Sequence, residues 1–436
     1  MRIAVPKESA PQEQRVALVP ESCKKLIQAG YELAVEAGAG TTAGFGDAAY
    51  QDVGAAVAAD PAALLGSADL LLKVNAPALA SSGRDETAWM RPGCIYLGSL
   101  MPLRNLDAVR ALAARRITAF STDAIPRSTR AQSMDTLSSM ANISGYKGVL
   151  LAATVLPKYF PMLMTAAGMV PPAKVFVIGA AVAGLQAIAT ARRLGANVAA
   201  TDVRPEVKEQ IESVGGKYVG IELKESAAAG GGYAKELSEE DTARRLGATV
   251  SATDVRPEVK EQIESVGAKY VGIELKESAA AGGGYAKELS DEDRRRQREL
   301  LAQQCAQADA VITTALIGGV FAPKLITADI VKSMKPGSVI VDLAADGGGN
   351  CELSRPGETI RVGGVTILAP LNLAATMPSD ASLLFSRNLT AFVQAFTTDK
   401  AFKLDLNDDI QQGALITHDG AVTNARTREA LQKESA

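Results

Sequence analysis

Residues 175–202 read VFVIGAAVAGLQAIATARRLGANVAATD, and their spacing suits one kind of chemistry. An apolar strand-like run ends at Gly179, a helical run starts around Gly184, and a second apolar run ends in Asp202. The first glycine permits a tight turn, the helix N-terminus offers unpaired amides to a diphosphate, and the last glycine lets the helix pack on the strand. Asp202 lies 18 residues past Gly184, close to the spacing of roughly 20 at which a carboxylate accepts from ribose hydroxyls. A carboxylate there repels a 2′-phosphate, so the pattern favours NAD(H) over NADP(H). The middle glycine of the usual pattern is replaced by Ala181, whose methyl sits where backbone and diphosphate approach; weaker binding at a retained site is expected. Gly179, Ala181, Val182, Gly184, Asp202 and Arg204 are the candidate contacts of this segment.

The elements that must position this turn are legible as alternating runs. RIAVP (2–6), YELAVEA (31–37), LLLKVNA (71–77), CIYLGSL (94–100) and ITAFST (117–122) read as buried strands, with PESCKKLIQAG (20–30) and NLDAVRALAARR (105–116) helical. Such alternation builds a parallel sheet with helices on both faces. A mostly apolar helical run over 133–156 then leads to KVFVIGA (174–180), which opens a second unit of the same kind with strands AVITTAL, SVIVDLA and VTILAP. A long amphipathic helix over 379–399 could return the chain to the first domain. The expected fold is α/β: two Rossmann-like doubly wound parallel-sheet domains joined by long helices. The first is read as 1–135 with 378–436, the second, nucleotide-binding, as 136–377.

The second domain contains a tandem repeat. Residues 190–241 match 242–293 at all but four positions: Asn197/Thr249, Ala199/Ser251, Gly216/Ala268 and Glu239/Asp291. Two copies do not make a solenoid. The unit begins inside a helix and ends in a polar loop. The first copy continues the helix begun at Gly184 and supplies Asp202, so it is expected to form the site, with 242–293 an insertion. The apolar runs TVSATDV and KYVGIEL of the second copy are expected to join a sheet edge, pack on the surface or pair with another chain.

Composition removes other classes of function. The 436 residues carry a net charge of −3, which makes no electrostatic case for nucleic acid or an anionic membrane. No charge-free apolar run reaches the roughly 18 residues of a membrane helix, and the N-terminus shows no signal-peptide pattern. Four cysteines lie far apart without CxxC, as in a reducing cytoplasm, and no metal site is expected. The one histidine, His418, falls in HDGAVTNAR and reads as an exposed tail residue.

VPKE (5–8), RVALVPESCKKL (15–26) and the glycine-turn segment resemble the signatures shared by alanine dehydrogenases and nicotinamide nucleotide transhydrogenases. IPRSTRAQSMDTLSSMANISGY (125–146), GGYAKELS, ITTALIGG and MKPGSVIVDLAADGGGN are similar to the NAD(H)-binding α-subunit (domain I) of the proton-translocating transhydrogenase. The resemblance implies NAD(H) held between two α/β domains, a homodimer, and direct hydride transfer to or from NADP(H) on a partner. NADP(H)-binding and membrane-spanning subunits would carry the proton path, leaving this chain peripheral on the inner face of the cell membrane. Arg127, Gln132, Asp135 and Ser138 match the loop and helix start beside the nicotinamide, where they would orient the carboxamide; the bland reading is a helix-capping surface loop. Tyr233, or Tyr285 in the second copy, matches a loop that closes over the nucleotide. Gly347–Gly349 and Asn372 match loops near the cofactor, although the acid–arginine pair usual before the glycines reads Ala345-Asp346 here.

Two other readings stay open. Arg15 and Lys73 are shared with alanine dehydrogenases, where they would hold a keto acid, but no histidine follows CIYLGSL to accept a proton. Hydride exchange between nicotinamides needs no such base, and Arg15 and Lys73 would then be structural, in ion pairs. The third reading is a non-catalytic NAD-binding assembly subunit inactivated by the duplication.

Overall fold

A computed structural model describes residues 1–202, 207–219, 251–252, 269–270, 280–281, 285–286, 291–316 and 322–435. The chain divides into two compact units, 1–143 with 372–436, and 144–371. The first division falls inside the helix Thr136–Val155, beyond the boundary read at 135. Ile143, still on that helix, packs with Ala374 and Ala381 of the first unit, which accounts for the difference.

The first unit has an eight-stranded sheet. Its strands run Ala56–Ala58, Glu32–Glu36, Arg2–Val5, Leu70–Asn75, Ile95–Ser99 and Thr118–Ser121, all parallel. Taken in chain order this is 3-2-1-4-5-6, the doubly wound order. These runs are buried on both faces, which is why they read as continuous apolar stretches without alternation. Two short strands that carry no such run, Leu415–His418 and Ala421–Val422, extend the sheet antiparallel. His418 is therefore no exposed tail residue. It is half-buried in an edge strand with Nδ1 3.0 Å from Thr118 Oγ1, because the residues after the long helix Pro378–Phe396 fold back onto the sheet.

Beyond the carboxyl ends of the central strands, ionic side chains fill the first unit. Lys73 is 1% exposed and lies 3.0 Å from Glu86 Oε2 and 3.4 Å from Glu8 Oε2. Burial pushes the Glu8 carboxyl up, against the pull of Lys73. For Lys73 burial opposes the charge, but Glu8 and Glu86 more than offset it, and its pKa is raised. Arg15 donates through Nε and an Nη to the two oxygens of Glu13, at 2.7 and 2.6 Å. Asn75 and Asn372 both donate to Glu13 Oε2, at 2.9 and 3.0 Å.

The second unit repeats the order. Its strands run Lys217–Tyr218, Asn197–Thr201, Lys174–Ile178, Ala310–Thr313, Val339–Asp342 and Val365–Leu368, all parallel, with Thr359–Val362 antiparallel at the far edge. The strand beside Lys174–Ile178 thus comes from the first copy of the repeat. In the second copy, Ser251–Ala252 pairs with Lys269–Tyr270 as a separate two-stranded sheet. The helix Thr136–Val155 meets the helix Val182–Arg193 at Gly145, where a Cβ would lie 2.1 Å from the Ala183 carbonyl oxygen.

Two outcomes follow from these contacts. Gly145→Ala must force the helices apart and is expected to cost about 1–3 kcal/mol in urea unfolding; wild-type stability in this variant would show that the helices do not pack at this spacing. Burial alone would raise Glu13, but the Arg15 contacts outweigh it and hold its carboxyl at about 2, below the ordinary 4.5. A depressed folded-state pKa means stability that is present above pH 4.5 and lost as pH falls toward 2. That contribution is on the order of 3 kcal/mol, and Glu13→Gln should flatten this limb of a stability–pH curve.

Candidate functional site

The glycine turn lies where the strand order of the second unit reverses, between Lys174–Ile178 and its neighbours Asn197–Thr201 and Ala310–Thr313. Open α/β sheets bind ligands in the crevice at this point. Gly179 has φ +91°, and a Cβ on it would lie 2.7 Å from Thr314 Oγ1. The Thr314 hydroxyl donates to the Gly179 carbonyl at 3.0 Å. At Gly184 a Cβ would lie 1.9 Å from that same carbonyl oxygen, so only glycine lets the helix Val182–Arg193 start so near the strand.

Ala181 is the N-cap of this helix, exposed and without a side-chain cap, and Val182 is its first residue. The first-turn amides, from Val182 onward, have no intrahelical acceptor. They form the backbone donor set that a diphosphate requires. Asp202 follows the strand Asn197–Thr201 and is half-buried. Its Oδ2 accepts from the Ala180 amide at 2.7 Å, and Tyr218 Oη donates to its backbone carbonyl at 3.1 Å. The carboxylate and the turn are thus joined directly, and carboxylate oxygens have lone pairs for further donors.

The remaining candidates distribute as follows. In the second unit Gly349 has φ +82°, and a Cβ there would lie 2.6 Å from Asp342 Oδ2. In the first unit Asp135 directly precedes the helix Thr136–Val155 and accepts from the Ser138 amide at 2.8 Å and the Ser138 hydroxyl at 2.6 Å. Its carboxylate therefore caps the helix. Arg127 and Gln132 are exposed on the preceding loop. Asn372 (φ +44°) belongs to the Glu13–Arg15 cluster, with its Oδ1 3.1 Å from an Nη of Arg15. Arg15 and Lys73 are both held in ion pairs. Arg204 and Tyr233 lie outside the described residues; Tyr285 is described only as part of a short pairing of Tyr285–Ala286 with Ala280–Ala281.

Sequence reasoning missed Asp342 and Asn350. Asp342 is fully buried and accepts from the Thr313 and Ser354 hydroxyls and from the amides of Ala344, Asn350 and Cys351. Asn350, also fully buried, bonds both the amide and the carbonyl of Ala315. Together they shape the loop after Thr314 that borders the glycine turn. An acid closing the otherwise apolar run SVIVD was the available signal, since a buried carboxylate needs partners. All four cysteines are free and buried, and burial pushes Cys23, Cys94 and Cys305 up to about 12, which makes them poor nucleophiles.

Comparison with known proteins matches this architecture. The N-terminal domain model of alanine dehydrogenase/PNT matches residues 4–144, and the C-terminal domain model matches 148–237 and 228–425. The chain is 41% identical to the first portion of the NAD(P) transhydrogenase subunit alpha of Rhodospirillum rubrum, a separate chain there, over 97% of this chain and 98% of that one. It is 38% identical to NAD(P) transhydrogenase subunit alpha of Cereibacter sphaeroides, over 97% of this chain and 71% of that one. The crystal structure of transhydrogenase from Sinorhizobium meliloti superposes with a TM-score of 0.73 at 39% identity, covering 97% of this chain and all of the other. An L-alanine dehydrogenase structure shares the fold, at TM-score 0.70 and 23% identity. With both domain models spanning most of its length, the chain belongs to the alanine dehydrogenase/PNT family.

Proposed function

We propose that this chain is the NAD(H)-binding subunit of a proton-translocating transhydrogenase, exchanging hydride directly with NADP(H) on a partner subunit. The observation that carries the reading is the Asp202 carboxylate bonded to the turn amide of Ala180 at the switch point. The residues fit the coenzyme: uncapped amides at Val182 for the diphosphate and an acid for the ribose. Relatives 37–41% identical bear the name of the transhydrogenase α-subunit, while alanine dehydrogenases are 25–28% identical.

Bound NAD(H) would supply or accept the hydride. The chain's task is then to hold one nicotinamide at near-attack distance from another, which is largely an orientational contribution. Arg127 and Gln132 would bond the carboxamide, and Asp135, stiffened by Ser138, would accept from its NH2. No proton leaves the ring in this exchange, so no base is required. The sole histidine supports this reading, because it lies beside Thr118, at the start of its strand. That is the opposite end of the sheet from the carboxyl ends. Among the described residues no helix is long and apolar enough to cross a membrane. The proton path and NADP(H) site would therefore belong to membrane-spanning and NADP(H)-binding subunits, which would hold this chain at the inner face of the membrane.

The chain would pair with a second copy of itself. A hairpin of Leu163–Thr165 and Gly168–Val170 presents Met164 and Met169 with 74% and 59% of their surface exposed, beside exposed Met162 and Tyr159. Apolar surface on this scale favours a partner.

Asp202→Asn should weaken NADH binding in calorimetry by about tenfold or more, with thermal stability little changed. It should slow exchange between NADH and an NADP+-loaded partner subunit in proportion. Unchanged NADH affinity in this variant would defeat the assignment. In light scattering the wild type should run at twice 45.3 kDa, and Met164→Asp with Met169→Asp should shift it toward the monomer.

A further inference from the structure

The repeat supplies two near-identical candidates for one place in the second sheet. Residues 203–219 and 255–271 differ at a single position, Gly216 against Ala268. The described segments of both copies pair in the same register. Ala199 and Ala200 face Lys217 and Tyr218 in the first copy, and Ser251 and Ala252 face Lys269 and Tyr270 in the second. Either segment could follow Asp202 and occupy the sheet edge, with 52 surplus residues looped out after Val219 in one case and after Asp202 in the other. Closure entropy depends on loop length, which is the same in both.

We infer that Gly216 is the positioning residue that seats the first copy at this edge and keeps the second copy out. Gly216 is buried, and a methyl on it would lie 2.5 Å from Ile188 Cγ2 and 3.1 Å from Ile211 Cγ2. Ile211 belongs to the repeat and has a counterpart in Ile263. Ile188 precedes the repeat, so it forms a wall that either copy must meet. It is fully buried on the helix Val182–Arg193, where a β-branched side chain has one dominant rotamer. The helix cannot retreat toward the strand, because Gly184 already abuts the Gly179 carbonyl. Ala268 in this place therefore overpacks the core.

The choice matters at the glycine turn. With the first copy seated, Val219 donates to Ala200 and Tyr218 to Asp202, and surplus chain departs at the sheet edge. With the second seated, 52 extra residues would begin directly after Asp202, at the mouth of the ribose subsite. That consequence rests on the NAD(H) reading; the seating itself does not.

Hydrogen exchange read by mass spectrometry on the full chain tests it without nucleotide, because peptides 207–219 and 259–271 differ in mass by one methylene. In the wild type the first-copy peptide should be the more protected. Ala268→Gly removes a methyl from the copy that is not seated, so it leaves the seated arrangement intact; it should raise protection of 259–271 by about tenfold or more. Combining it with Gly216→Ala should reverse the order of the two peptides. Exchange of 259–271 unmoved by Ala268→Gly, or a first copy still the more protected in the double variant, would overturn the inference. Loss of NADH binding with the wild-type exchange order intact would count against the nucleotide reading alone.

Discussion

The nucleotide turn depends on backbone approaching backbone with no side chain between. Gly184 stands so near the Gly179 carbonyl that a single carbon would occupy its space, and Gly145 stands almost as near Ala183. These contacts fix where the helix Val182–Arg193 begins, and so where its unpaired amides point. The Asp202 carboxylate is tied to the same turn through the Ala180 amide. Acid and amides are thereby set before any ligand arrives, so less ordering is left for binding to accomplish.

The two units share a strand order yet treat the equivalent position differently. In the second unit it holds a glycine turn with an uncapped helix start. In the first, Glu8, Lys73 and Glu86 fill it, and Arg15 is bonded to Glu13. A buried ion pair is a poor source of net stability, but removing one partner strands the other charge. The first unit thus resists piecemeal change at a place where the same topology could otherwise have held a ligand. Fold alone does not choose between these outcomes; the side chains do.

Much of this is legible in the sequence because parallel strands buried on both faces announce themselves as apolar runs. All nine strands read from such runs are present, as are the long helices over 136–155 and 378–396. What escapes is short or depends on distant partners. The edge strands Leu415–His418 and Ala421–Val422 carry polar residues and no period, so His418 reads as a tail residue although it lies in a sheet. Asp342 is hidden because its five donors come from three separate stretches of chain. The turn itself is legible, since its glycines and Asp202 lie within one local unit; Glu13 is not, because Arg15 and Asn372 meet it only in the folded chain.

The sheets of both units end in very short strands. Ala56–Ala58 and Ala421–Val422 bound the first, and Lys217–Tyr218 bounds the second on the side of the repeat. An edge two or three residues long is a poor template for a stray strand. The duplicated chain brings an additional β-prone segment, and its described residues hydrogen-bond to one another, Ser251–Ala252 with Lys269–Tyr270, as a sheet of their own. Blunt margins of this kind limit how far a surplus sequence can propagate into cross-strand aggregation, which is how a fold can tolerate carrying the same fifty residues twice.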